Sequence, residues 1–122
     1  MNFIKVNYKK KSIVTCLPDG GKLAAEADAL DAVAACGDYE TNRLLIPGDN
    51  LSEAFFDLKT GLAGAVLLKF SNYRIQAAIV CPAEMIGVGK FYEFVLETNR
   101  GPDFRVFQER QKALDWLAGS GS

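Results

Sequence analysis

Five short runs rich in β-branched and aromatic residues mark out the chain: FIKVNY (3–8), SIVTCL (12–17), RLLIP (43–47), IQAAIVC (75–81) and FRVF (104–107). Runs of this length and content are strand signals. The first two are separated only by Lys9-Lys10-Lys11, which reads as a solvated hairpin turn. Each later pair is separated by a segment long enough to hold a helix, and a last helical segment follows FRVF. The order is therefore β-β-α-β-α-β-α-β-α. Strands joined through helices lie parallel, with right-handed crossovers. If each new strand adds to the same side, the helices fall on one face. The expected architecture is an α/β domain with a five-stranded mixed, mostly parallel sheet. Its first strand is antiparallel at an edge, and its helices lie mainly on one face.

The helical segments carry their own patterns. One runs from about Lys22 to Cys36, with Leu23, Ala27, Leu30 and Ala34 expected to face the core and Gly37 as a left-handed stop. In the next, Leu58, Leu62, Val66, Phe70 and Tyr73 form an apolar stripe. Gly61, Ala63, Gly64 and Ala65 keep its start thin, which suits close approach to the sheet. Lys69 falls inside that stripe: its stem snorkels, or its ammonium is aimed into a site beside Asp57 or Asn72. A third helix is expected from Val88 to Asn99, stopped by Gly101-Pro102, and a fourth in ERQKALDWLA. At 122 residues the chain reads as one domain, 1–118, large enough to bury a core. Residues 119–122 read as a flexible tail.

Fourteen basic and 15 acidic residues leave a formal charge of −1, which gives no electrostatic case for nucleic acid or an anionic membrane. The start, MNFIKVNYKKK, has no apolar core of signal-peptide length, and no window approaches a membrane span. A cytoplasmic protein is expected. Histidine is absent, which removes the commonest acid–base catalyst and metal ligand. Neither a metal nor a cofactor is expected. Cys16, Cys36 and Cys81 are odd in number and form no CxxC pair, so they read as buried free thiols.

Candidate sites concentrate at two turns. GVGK (87–90) sits where a phosphate loop would, but Glu84 stands at the first Walker glycine and Phe91 at the magnesium-binding hydroxyl. The other is FFDLKTGLAG (55–64). Asp49, Asn50, Ser52 and Asp57 before and within it are residue types that satisfy free N–H groups at helix starts. Ser52 is expected to cap a short turn holding Phe55 and Phe56, and Asp57 the longer helix. The KTG triplet also occurs in penicillin-binding enzymes, yet no SxxK accompanies it. Cys81 lies at the carboxyl end of a strand, where open α/β sheets place ligand sites. With Asp49, Asp57 and Lys69 it makes up a candidate small-ligand or enzymatic site.

FFDLKTGLAG, KFSNYR, AIV and FVLETNRG resemble the signature blocks of a family of small bacterial proteins, domain-of-unknown-function family 4180, over most of residues 1–118. The element order also resembles the STAS fold of anti-sigma-factor antagonists and anion transporters. In those regulators the turn after the third strand reads Phe-Ile-Asp-Ser-Ser-Gly-Leu-Gly, and its second serine is phosphorylated to break partner binding. Phe56, Asp57, Gly61 and Leu62 match that turn, with Thr60 before the glycine and one residue inserted. The resemblance implies a non-enzymatic, STAS-like regulatory module that binds a protein partner. Phe56, Asp57, Lys59, Thr60 and Gly61 would form its docking turn, with Thr60 as the switch. The alternatives are the site at the strand ends (Asp49, Lys69, Cys81) and a structural homodimer through a helix-free sheet face.

Overall fold

The computed structural model describes residues 1–119, so most of the expected tail, residues 120–122, lies outside the described residues. β1 (Phe3–Tyr8) and β2 (Lys11–Cys16) form an antiparallel hairpin around Lys9-Lys10. Both lysines are left-handed, with φ 49° and 69°. A two-residue hairpin loop needs that geometry to match the twist of its strands, and the position usually goes to Asn or Gly. β3 (Arg43–Pro47), β4 (Gln76–Val80) and β5 (Phe104–Phe107) then add in sequence order, each parallel to its predecessor. The sheet reads β1-β2-β3-β4-β5, so the mixed five-stranded sheet and its antiparallel edge are as the strand runs imply.

Among the described residues six α-helices follow the strands: α1 (Glu26–Asp38), α2 (Glu53–Phe56), α3 (Leu62–Asn72), α4 (Ala83–Ile86), α5 (Lys90–Thr98) and α6 (Arg110–Leu117). α1, α3 and α5 lie in the crossovers and share one face. There Ala29, Val66, Phe70, Phe91 and Val95 pack with Val14, Leu44, Ile46, Ala77, Ile79 and Val106 of the strands. α6 covers the other face, where Ala113, Trp116 and Leu117 meet Ile13, Leu45 and Ala78. The sheet face expected to be helix-free, and with it the surface expected for a homodimer, is therefore occupied. The handedness rule fixes helices that connect two parallel strands. α6 connects to no further strand, so burial of its apolar side chains alone decides its face.

A polar clasp fixes α6 to the hairpin. The Tyr8 hydroxyl donates to Asp115 at 2.5 Å, Lys9 Nζ donates to the same carboxylate at 2.9 Å, and Gln111 Nε2 donates to the Tyr8 oxygen. The bond from Tyr8, then that from Lys9, holds the Asp115 carboxyl below its ordinary range.

Two helices depart from their expected faces. α1 starts at Glu26 because the Asp28 carboxylate accepts from the Ala24 and Ala25 N–H groups, at 2.9 and 3.0 Å. Leu23 is left outside the helix, bridged in extended form to Leu51. Ala29, Ala32 and Cys36 turn inward, while Ala27, Leu30 and Ala34 face solvent. With alanine on both sides of the helix, its period does not distinguish the two faces. Gly37 lies within α1, and the left-handed residue is Glu40, φ 55°. In the second helix Leu58 belongs to a separate 3-10 turn, Leu58–Thr60, and Tyr73 lies exposed beyond the end. Gly64 faces open space, so it serves no close approach to the sheet. The third expected helix, Val88 to Asn99, is α5, and the loop before it holds the short helix α4, which ends at Gly87, φ 69°.

Candidate functional site

The carboxyl ends of β3 and β4 meet so closely that one position between them admits only glycine. A Cβ on Gly48 would lie 2.6 Å from the Cys81 Cβ, 3.0 Å from Met85 Sδ and 3.2 Å from the Val80 carbonyl. Contact at that range with backbone and a rooted Cβ forces the strands apart. Everything after Gly48 is built on this junction.

Asn50, fully buried, organises the next residues. Its Nδ2 donates to the carbonyls of Leu17 at 2.9 Å and Gly21 at 2.8 Å, and its backbone carbonyl accepts from the Leu23 N–H at 2.7 Å. One side chain thus ties the exit of β3 to the loop between β2 and α1. Its Oδ1 and the Ser52 Oγ are buried with no hydrogen-bond partner among the described residues. Ser52 does precede α2, but its side chain makes no capping bond.

α2 then presents two aromatic rings. Phe55 is buried, and Phe56 is half-buried with its ring centroid 5.0 Å from that of Phe91 on α5. Rings at this spacing join the segments after β3 and β4 into one rim. Asp57 follows. Its carboxylate accepts from the Lys59 N–H at 3.1 Å, so it caps the 3-10 turn and not α3 itself. Thr60 performs the second task. Its Oγ1 lies 2.6 Å from the Ala54 carbonyl and 2.9 Å from that of Asp57, and accepts from the Leu62 N–H at 3.2 Å. Because a hydroxyl has one proton, it donates to one of the two carbonyls at a time. Gly61 sits at φ 76°, a left-handed link that only glycine adopts without strain.

Phe56 and Met85 stand between two shallow grooves on this rim. One, of about 350 Å³, is lined by Lys22, Asp49 and Glu53. The other, of about 340 Å³, is lined by Asp57, Lys59, Lys90 and Phe91. The rim therefore brings Asp49, Phe56, Asp57 and Lys59 together, with Thr60 and Gly61 as the frame behind them. Cys81 lies beneath, against Gly48, and burial pushes its thiol up to about 11. At neutral pH it is a protonated, packed side chain. Lys69 lines neither groove; its Nζ is 3.0 Å from Glu26 of α1, with the stem partly buried. Lys22, Glu53 and Met85 join the rim without a motif of their own, and Lys90 joins it as the lysine of GVGK. Asn50 carried a readable signal, a small amide two residues beyond the Pro47-Gly48 break that ends a buried strand.

Among the described residues no cluster of three or more His, Cys, Asp or Glu side chains is placed to hold a metal ion, and no helix is long and apolar enough to cross a membrane. The chain matches the family described as Domain of unknown function (DUF4180) over residues 8–117 and belongs to it. Comparison with curated proteins and with solved structures gives no match. The chemistry of the rim therefore rests on its own geometry.

Proposed function

We propose that the chain is a non-enzymatic regulatory module of STAS-like architecture that binds a protein partner through the rim turn at Phe56–Gly61. The observation that carries this reading is the bonding of Thr60. Its hydroxyl ties α2, the 3-10 turn and the start of α3 together while Asp57 and Lys59 stay exposed and Phe56 half-exposed. A preformed turn of this kind offers an aromatic ring and opposite charges without an ordering cost on association. The sheet order, with an antiparallel first strand and three β-α additions, supports the STAS-like part of the reading.

The same bonds describe how a switch at Thr60 would act. A phosphoryl group on Oγ1 replaces the donated proton with acceptor oxygens that face the Ala54 and Asp57 carbonyls. The turn would then open and the docking surface would be lost. Affinity capture with the wild-type chain, a Phe56→Ala/Lys59→Glu variant and a Lys112→Glu control tests the docking surface. The reading expects a partner retained by wild type and control and lost from the double variant; an unchanged partner set contradicts it. For the switch, intact mass and partner recovery are compared between wild type and Thr60→Ala. Identical phosphate-free masses and identical partners would sink that part alone.

A further inference from the structure

The two edges of the sheet are finished differently. At β5 the Asn99 side chain acts as a substitute strand: its Oδ1 accepts from the Val106 N–H at 2.7 Å and its Nδ2 donates to the Val106 carbonyl at 3.0 Å. That edge is closed at its centre. At β1 no such clamp exists among the described residues. The two-residue loop makes Tyr8 and Lys11 a hydrogen-bonded pair, so Val6 and Ile4 also bond to β2. The N–H and C=O groups of Phe3, Lys5 and Asn7 therefore point away from the sheet.

The open edge is also charged in one sense. Lys5, Lys9, Lys10 and Lys11 lie on the hairpin, and no acidic residue precedes Asp19. Asp115 engages Lys9; Lys5, Lys10 and Lys11 have no ion-pair partner among the described residues. A second copy of the chain fits this edge poorly. Antiparallel pairing through the outward groups of Phe3, Lys5 and Asn7 sets Lys5 opposite Lys5, a like-charge pair that opposes association. An acidic strand meets the opposite situation. Side chains on its α1 side would face Lys5, and those on its α6 side would face Ile4 and Val6, of which Ile4 is 37 % exposed.

We propose that β1 is an acceptor edge for an extended protein segment that alternates acidic and apolar residues, docked by strand addition with its acids on Lys5. This surface lies on the sheet edge, away from the rim turn, and stands whether or not the turn binds a partner. The hairpin is ready for it: the left-handed loop and the Tyr8–Asp115–Lys9 clasp hold β1 in place from its far end.

The test uses the whole chain and a fluorescein-labelled peptide alternating glutamate with valine, beside a lysine–valine peptide of the same length. Binding is read by anisotropy and by amide exchange at Phe3, Lys5 and Asn7. The expected result is acid-selective binding that weakens with salt and slows exchange at those three amides. Lys5→Glu should weaken it about tenfold, from attraction to repulsion at one cross-strand pair. Asn7→Pro removes an outward N–H without touching the β1–β2 ladder, so it should weaken binding while circular dichroism is unchanged. Equal binding of both peptides, protection elsewhere on the surface, or no binding at all overturns the proposal. So does self-association of the chain that protects the same three amides.

Discussion

The segments that leave β3 and β4 start side by side and reach the same rim, yet they are held by different means. After β3, side chains do the holding: Asn50 staples two loops, Asp57 caps a 3-10 turn, and Thr60 bonds across α2 and α3. After β4, the path through Pro82, α4 and Gly87-Val88-Gly89 carries no side-chain hydrogen bond among the described residues, and Val88 is 95 % exposed. Packing anchors it at Ile86 and Phe91, which are buried. The first segment can keep an exposed shape without covering it; the second keeps its shape only where it is covered. A surface meant to be met in one conformation belongs on the first, which is why we propose the docking turn there.

The largest break in this comparison is Asn50→Ala. It removes both bonds between the exit of β3 and the β2–α1 loop and leaves a void where a fully buried side chain stood, so unfolding in urea should show a loss of roughly 2–4 kcal/mol. Gly48→Ala attacks the junction both segments share, and overpacking should cost about 2–3 kcal/mol. Adding Cys81→Ala should not rescue it, because the contact at 2.6 Å is to the Cys81 Cβ, which alanine keeps. Alkali acts on the same core. Burial pushes Cys16 and Cys36 up to about 12 and Cys81 up to about 11 from an ordinary value of 9.0. The unfolded chain releases these protons first, so their contribution is complete below about pH 9 and drains as pH rises through the folded values. Unfolding midpoints should be flat up to pH 9 with respect to these thiols and fall above it, and less so in a Cys16→Ala/Cys36→Ala variant. The finest contrast lies between Gly61 and Gly64, three residues apart in the sequence. Gly61→Ala forces φ 76° on a residue with a Cβ and should cost ~1 kcal/mol, whereas Gly64→Ala fills open space in a helix and should gain ~0.5–1 kcal/mol.

Those two glycines also show what a sequence discloses. The strands were legible because each is a short apolar run bounded by turn residues, and RLLIP and FRVF coincide with β3 and β5 residue for residue. The five-stranded sheet and its parallel crossovers follow from spacing. The face of α6 does not, since a terminal helix lies outside the crossover rule. The buried face of α1 does not either, since alanines line it on both sides. At the rim, the capping residue types were legible but their assignments were not. Asp57, Ser52 and Thr60 all carry a capping oxygen, yet Asp57 meets the Lys59 N–H, Thr60 that of Leu62 and Ser52 none, around a left-handed step at Gly61. Asn50 reads as a turn residue until the loop it clamps, thirty residues away in sequence terms at Leu17 and Gly21, is folded beside it.

Native-state hydrogen exchange tests the contrast between the two segments most directly. Lys59, Thr60, Gly61 and Leu62 each donate their N–H within the turn, to Asp57 Oδ1, the Asp57 and Leu58 carbonyls and Thr60 Oγ1. Val88 and Gly89 donate theirs to no partner among the described residues. Exchange at the first four should be slower than at the second pair by at least about tenfold after correction for intrinsic rates. Equal rates would mean that the turn after β3 is no more preformed than the loop after β4, and the docking surface assigned to it would have to be given up.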